Sequence, residues 1–315
     1  TGIPRTLVAE SDRNDPATVA PRGAGGSGGL GLHGQWADDV HHALHVLLTG
    51  ETQGYYADFA DPGAPGKVLA QTPFFHDGTY STFRGRVHGR PVDPATTPGW
   101  RYVASLQTHD QVGNRGSGDR LSASLNRRRL CVGAALLLTG PYTPMLFMGE
   151  EWAASTPWQY FTDHTDPDLA EAVRQGRFNE FATHGWGEGE VPDPQSLTTV
   201  ENSTLAWQER SQGVHERVLG WYKALLALRS NRPELSDGDL ATVRVTGGET
   251  PGAFVVHRGR HRIAVNLGAE PVTLALQADS LHADTVLLSL DPTVEVVDGA
   301  VTVPADGVVV VGPSV

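Results

Sequence analysis

Tyr102-Val103-Ala104-Ser105-Leu106-Gln107-Thr108-His109-Asp110-Gln111-Val112-Gly113-Asn114-Arg115 changes character in its middle. Its first five residues are apolar or small, as in a short buried strand. The rest is dense in polar side chains, with Gly113 permitting a tight turn. A strand that ends in a cluster of polar side chains is how parallel α/β proteins bring chemistry to the carboxyl ends of their strands. His109 and Asp110 are suited to hydroxyl recognition, and a carboxylate can stabilise positive charge at an anomeric carbon. The plainer reading is a hydrogen-bonded structural turn.

The same switch recurs upstream. Leu7-Val8-Ala9 is strand-like and leads into Glu10-Ser11-Asp12. Glu10 is therefore either a functional carboxylate at a strand end or the start of a solvated loop. The strand, taken from Ile3, reads as buried and needs neighbours on both sides, so the chain is expected to begin inside a longer protein. Met145-Leu146-Phe147 is a third strand candidate. Helical stretches intervene: Ala43–Leu48, the wholly apolar run around Ala134–Leu138, and Val218, Trp221, Tyr222, Leu225 and Leu226 at i, i+3, i+4, i+7 and i+8. Strand, loop and helix in alternation predict an α/β fold with parallel strands over residues 1–232.

From residue 233 the texture changes. Short β-rich runs follow one another: Thr242–Val245, Phe254–Val256, Ile263–Val265, Val272–Leu274, Val286–Leu288, Val294–Val296 and Val308–Val310. Turn signals such as Gly247-Gly248, Gly259, Asp298-Gly299 and Asp306-Gly307 separate them. Residues 233–315 are expected to form an all-β antiparallel sandwich.

Composition narrows the function. The chain has 315 residues, 24 Lys+Arg against 36 Asp+Glu, and a net charge of -12. Such a surface repels phosphate backbones, which argues against nucleic acid, while a neutral sugar is compatible with it. No stretch is long and apolar enough for a membrane span, so no membrane partner is expected. The single cysteine, Cys131, excludes a disulfide framework, lies in an apolar run and fits a cytoplasmic, reducing setting.

Further constellations carry candidate residues. Asp38-Asp39-Val40-His41-His42, with His45 beyond, has metal-ligand residue types. It lacks a second pair to complete a set, so hydroxyl recognition or helix capping by Asp38 or Asp39 is expected, with no metal and no cofactor. Tyr55, Tyr56, Phe83, Trp100, Trp152, Trp158 and Tyr160 lie in polar or Gly-containing segments; each is either packing or a flat platform for a sugar face. Arg22–Gly29 satisfies G-x-G-x-x-G through Gly23, Gly25 and Gly28, but Pro16 and Pro21 precede it and Gly31 and Gly34 follow, so a flexible loop is expected. Neither a nucleophile elbow nor a P-loop is present.

Taken in order, these segments resemble the later strands of the catalytic barrel of glycoside hydrolase family 13, the α-amylase clan, and within it the trehalohydrolases. Leu7–Asp12 resembles a fifth strand with its proton donor, and Gln35–His42 a sixth-strand segment. Thr49-Gly50-Glu51-Thr52-Gln53-Gly54-Tyr55-Tyr56 and Ser81–Gly89 are similar to segments near the substrate. His109–Gly116 resembles the seventh-strand motif, and Pro144–Glu151 the eighth strand and its loop.

The resemblance implies the second half of a (β/α)8 barrel, strands five to eight, followed by an accessory sandwich. It also implies a retaining hydrolase that cuts the α-1,4 bond next to the terminal trehalose unit of maltooligosyl trehalose. Glu10 would be the acid and Asp110 the stabilising carboxylate. Asp38, Asp39, His41, His42, Tyr55, Tyr56, Phe83, Arg84, His109, Gln111, Val112, Gly113 and Asn114 would contact substrate. The family's nucleophilic aspartate precedes its proton donor, so it is expected upstream of Thr1, and the residues in hand are expected to be inactive alone. Other clan activities, such as glycogen branching or α-amylolysis, and a non-catalytic glycan-binding role are the alternatives.

Overall fold

The structure is a computed structural model, and it describes residue 3 and residues 5–23, 28–182, 191–276 and 284–314. The chain forms two compact units. The first comprises Thr1–Leu106, Arg128–Met145 and Trp221–Val315; the second comprises Gln107–Arg127 and Leu146–Gly220.

The strands in chain order are β1 (Val8–Ala9), β2 (Gly34–Trp36), β3 (Thr79–Ser81), β4 (Arg86–His88), β5 (Tyr102–Ser105), β6 (Thr143–Met145), β7 (Arg244–Gly247), β8 (Ala253–Arg258), β9 (His261–Asn266), β10 (Val272–Ala275), β11 (Asp284–Ser289), β12 (Val296–Val297), β13 (Ala300–Val303) and β14 (Gly307–Pro313). The α-helices are α1 (Asp38–Thr49), α2 (Ala64–Ala70), α3 (His109–Gly113), α4 (Leu121–Ser124), α5 (Arg127–Thr139), α6 (Pro167–Ala182), α7 (Leu197–Asn202), α8 (Gly213–Asn231) and α9 (Pro233–Ser236).

In the first unit β1, β2, β5 and β6 form a parallel sheet in that order, with Val8 opposite Gly34, Gln35 opposite Tyr102 and Val103 opposite Thr143. This is the expected parallel α/β arrangement. Among the described residues β1 and β6 each have one strand neighbour, and the sheet does not close into a barrel. β1 departs from the expected buried strand: Leu7 is 66% and Val8 46% exposed. A strand paired on one side only, with no layer over its face, leaves its apolar side chains in water. Ala24, Gly25, Gly26 and Ser27 of the Gly-rich run lie outside the described residues.

α5 is buried on every side from Cys131 to Thr139, as its unbroken apolar run predicts. Trp221 donates its indole N–H to the Cys131 carbonyl at 2.9 Å. Gly133 lets α5 approach closely, since a Cβ there would lie 2.8 Å from Leu48 Cδ1. β6 begins two residues before the expected strand, and Leu146 and Phe147 follow it. The ring of Phe147 packs against Trp158 and under Arg120 instead of continuing the ladder.

The C-terminal strands make two antiparallel sheets, β11-β14-β9-β8-β7 and β10-β13-β12. Ala253, Val255, Ala264, Val309 and Val311 of the first pack with Leu274, Val301 and Val303 of the second, which is the expected sandwich. β8, β9 and β14 are buried at every residue. Their near-continuous apolar runs suit strands covered on both faces. Arg258 reaches across from β8 to the Thr139 carbonyl at 3.1 Å. The expected Asp298-Gly299 turn joins β12 and β13, both residues having positive φ, as a two-residue hairpin requires. β12 starts at Val296, later than the expected run from Val294, and β13 had no counterpart among the expected strands.

Candidate active site

Glu10 follows β1 and is exposed. The segment after it is held at several points within the first unit. Ser11 O accepts a bond from Gln35 Nε2 at 3.3 Å, and Asp12 O one from His88 Nε2 at 2.7 Å. The Asp12 carboxylate pairs with Arg84 at 2.7 Å. Asn14 has φ of 52°, a left-handed backbone that asparagine tolerates, and its carbonyl accepts from Arg90 N at 2.9 Å.

β2 leads into α1, whose N-cap is Ala37; its side chain offers no capping bond, and Asp38 and Asp39 lie in the first turn. The expected capping by either aspartate is therefore not what the structure has. Both still suit the positive end of the helix dipole. Asp39 is only 6% exposed. Its Oδ2 accepts 2.8 Å bonds from the His76 N–H and from Asn14 Nδ2, and Asn14 Nδ2 also donates to His76 O at 3.0 Å. Burial pushes the Asp39 carboxyl up to about 7, although the His76 N–H and the Asn14 amide pull the other way.

His41, His42 and His45 project from α1 into a ring cluster. His41 Nε2 lies 3.1 Å from the Tyr56 hydroxyl. His45 stacks on Tyr56 with centroids 4.3 Å apart and meets Glu51 at 2.8 Å. His42 sits among Tyr55, Tyr56 and Phe59, at 4.9, 5.5 and 5.1 Å. Burial, aided by His45, Arg84 and His76, pulls the His42 imidazole down to about 3, and burial also holds His41 well below the ordinary range. Neutral imidazoles next to tyrosine rings can both donate to and accept from sugar hydroxyls.

The hairpin β3–β4 presents Phe83 and Arg84 at its turn. Phe83 is 58% exposed and touches Tyr55 edge-on at 5.9 Å. Tyr56 is buried, so of the expected aromatic pair Tyr55 is the more accessible. Trp152 is buried, whereas Trp100 and Tyr160 are exposed.

In the second unit Gln107 is buried; its Oε1 accepts from Leu121 N at 2.9 Å, and its Nε2 lies 3.4 Å from Glu150 Oε2. Thr108 caps α3: its hydroxyl oxygen accepts from Asp110 N at 3.2 Å and donates to Gln111 Oε1. His109 and Asp110 project from the first turn, their side chains 51% and 58% exposed and 3.8 Å apart. Asn114 is exposed; Val112 and Gly113 are buried, Gly113 beside Trp158. α3 thus offers His109, Asp110 and Asn114 to solvent on a turn fixed by its buried side.

Sequence reasoning did not single out Asn14 or His76. Both act through partners 25 and 37 residues away, and no local pattern announces that. It also missed Arg120 and Arg177, buried cations that donate to carbonyls of the second unit. An arginine inside an otherwise ordinary helix such as α6 gives no local sign that it is buried.

No protein-family profile matches the chain. It is 51% identical over 271 residues to malto-oligosyltrehalose trehalohydrolase of Arthrobacter ramosus, covering 86% of this chain and 46% of that protein. With the enzyme of the same name from Brevibacterium helvolum it shares 48% over 274 residues, covering 87% and 46%, and with that of Rhizobium sp. (strain M-11) 45% over 299 residues, covering 92% and 50%. Among solved structures it resembles a Salmonella typhimurium protein named as a candidate alpha amylase, with a TM-score of 0.81, 34% identity, and coverage of 98% of this chain and 51% of that one. Apo pullulanase from Klebsiella pneumoniae shares the fold at a TM-score of 0.52 and 17% identity, over 90% of this chain and 37% of that one. The chain is related in sequence to the malto-oligosyltrehalose trehalohydrolases and spans about half the length of the curated relatives it matches.

Proposed function

We propose that this chain, as a relative of those enzymes, serves the hydrolysis of the α-1,4-glucosidic bond next to the terminal trehalose unit of maltooligosyl trehalose, releasing trehalose. The observation that carries the reading is identity of 45–51% with trehalohydrolases over most of the chain. The parallel strands β1, β2, β5 and β6 would be strands five to eight of a (β/α)8 barrel, in a catalytic region of residues 1–232 followed by a sandwich of residues 233–315. Supporting this, two strands lead directly into candidate groups at their carboxyl ends: β1 into Glu10 and β2 into Asp38-Asp39. The Asp110 helix follows β5 in sequence.

The chemistry would be retaining, with two carboxyls as acid and nucleophile roughly 5 Å apart. Glu10 donates a proton to the leaving glycosidic oxygen, then takes one from water. Asp110 binds ring hydroxyls and gains strength as positive charge grows at the anomeric carbon. The nucleophile would be an aspartate that precedes Glu10 in the full-length protein, as the family resemblance implies. His42, Tyr55, His109, Gln111 and Asn114 bind hydroxyls; Phe83 and Arg84 face the leaving group. Neither metal nor cofactor enters, and the setting is the cytoplasm.

The test offers the full-length protein maltooligosyl trehalose and, separately, a plain maltooligosaccharide of equal length. Release of free trehalose from the first at a rate far above glucan cleavage of the second supports the reading. Preferential cleavage of the plain glucan would favour the second reading, an α-amylase-type activity, to which the Salmonella structure points.

A further inference from the structure

Asp110 acts, on the reading above, from a helix of only five residues. So short a helix has no stability of its own, and its orientation must come from what holds its two ends. The amino end is held by Thr108, whose hydroxyl accepts from Asp110 N. The carboxyl end is held from a distant element. Arg177, in the middle of α6, donates from Nη2 to Gly113 O at 2.7 Å and to Arg115 O at 3.2 Å.

This arginine is built in. It is 7% exposed. Its guanidinium lies 5.1 Å from the Tyr160 ring and 4.5 Å from the Phe181 ring, and Nη1 meets Glu180 at 3.5 Å. Rings beside the planar group fix its orientation, and its rigid donors reach two carbonyls at once. A lysine would keep the charge but offer one compact ammonium with no plane to stack. Removing a cation from water is costly, so it is an extravagant way to satisfy two helix-end carbonyls unless their placement matters.

We propose that Arg177 is a positioning residue for Asp110: it fixes the carboxyl end of α3, and with Tyr160 and Phe181 sets the direction in which the Asp110 carboxylate points. The inference rests on the proposed role of Asp110.

The experiment measures trehalose release by full-length protein in four forms: wild type, Arg177→Lys, Asp110→Asn and the double variant. Arg177→Lys is expected to lower kcat about 10–100-fold, in line with the cost of misplacing a reacting group by an ångström, while KM moves less than about threefold. In the Asp110→Asn background the same substitution is expected to cost less than about twofold, because the group it orients is gone. Amide exchange across Asp110–Gly113 should quicken in Arg177→Lys while the thermal midpoint shifts little. An unchanged kcat in Arg177→Lys, or an equal loss in both backgrounds, overturns the proposal. Asp110→Asn with near-normal turnover overturns the role of Asp110 itself, which is a separate result.

Discussion

Asn14 and Asp39 are joined by a 2.8 Å hydrogen bond, from amide Nδ2 to carboxylate Oδ2, in the interior of the first unit. The same carboxylate oxygen accepts the backbone N–H of His76, so one buried acid ties together the loop after β1, the start of α1 and the segment before β3.

That acid gives stability a pH signature. The Asp39 carboxyl is raised from 3.8 to about 7 by burial, so the folded state holds its proton where the unfolded state has lost it. Stability from this group is present below about pH 4 and is lost as pH rises toward 7, by at most roughly 4 kcal/mol. His42, pulled from 6.5 to about 3 by burial, works oppositely: the unfolded state takes up its proton first, so stability falls as pH drops through that window. In Asp39→Asn the Asp39 slope is gone, while those of His42 and the other titrating groups remain. Its thermal midpoint, relative to wild type, should climb from pH 4 to about pH 7 and level off above that; a pH-independent difference would contradict the assignment.

Arg84 and Asp12 make a 2.7 Å ion pair with the Asp12 side chain 56% exposed. Partly exposed pairs contribute at most about 1 kcal/mol, so Arg84→Met should barely move the melting temperature. Asp12 lies two residues after Glu10, however, and freeing it loosens that segment. Trehalose release in the full-length variant should fall while unfolding stays within a few degrees of wild type. Unaltered activity would detach the hairpin from the site.

Gly89 and Gly85 both have positive φ, of 73° and 62°. A Cβ at Gly89 would lie 1.9 Å from His76 O and 2.9 Å from Asn14 Cβ, whereas at Gly85 it meets nothing within 4 Å. Gly85→Ala should cost only the backbone strain, about 1 kcal/mol. Gly89→Ala must also displace the His76 backbone and the Asn14 side chain, both of which hydrogen-bond Asp39, and a loss beyond about 3 kcal/mol is expected. Denaturant titration of both variants checks the contrast; equal losses would count against it.

Glu10→Gln and Asp110→Asn in the full-length protein should each retain less than about a hundredth of wild-type activity, since positioned acid catalysis alone supplies 10²–10⁴-fold. Steady-state trehalose release measures this, with circular dichroism to establish that both variants fold. Near-normal turnover in either one removes that residue from the mechanism.

Strand β5 and the C-terminal sandwich were legible because burial of a strand writes itself into local sequence, whereas β2 (Gly34–Trp36) has no apolar run and entered only through the family resemblance, and β1 is apolar yet exposed. Tyr102–Leu106 and Ile263–Val265 are apolar where the structure covers them. Met145-Leu146-Phe147 misled by two residues for an instructive reason. Its apolarity is real, but Phe147 uses it against Trp158 and Arg120 and not in a ladder. Asp38 and Asp39 carry the residue type of a cap, yet first-turn acids are favoured by the helix dipole without capping anything. Asn14, His76 and Arg177 were illegible because each bonds across a sequence gap that periodicity does not span. The polar strand ends flagged Glu10 and Asp110; what aims them had to come from packing.

The position of β14 bears on how the chain is made. It is the last strand along the sequence, yet it lies between β9 and β11 in the five-stranded sheet. About 40 residues separate the end of β9 from its start. At translation speeds of roughly 5–20 residues per second, β9 leaves the ribosome some 2–8 s before its partner exists. During that interval the edge His261-Arg262-Ile263-Ala264-Val265 has unpaired backbone groups and an apolar face, the combination on which strangers pair. Expression yield should therefore respond to slow codons and chaperone supply across this interval, while the finished protein, with that edge filled, does not.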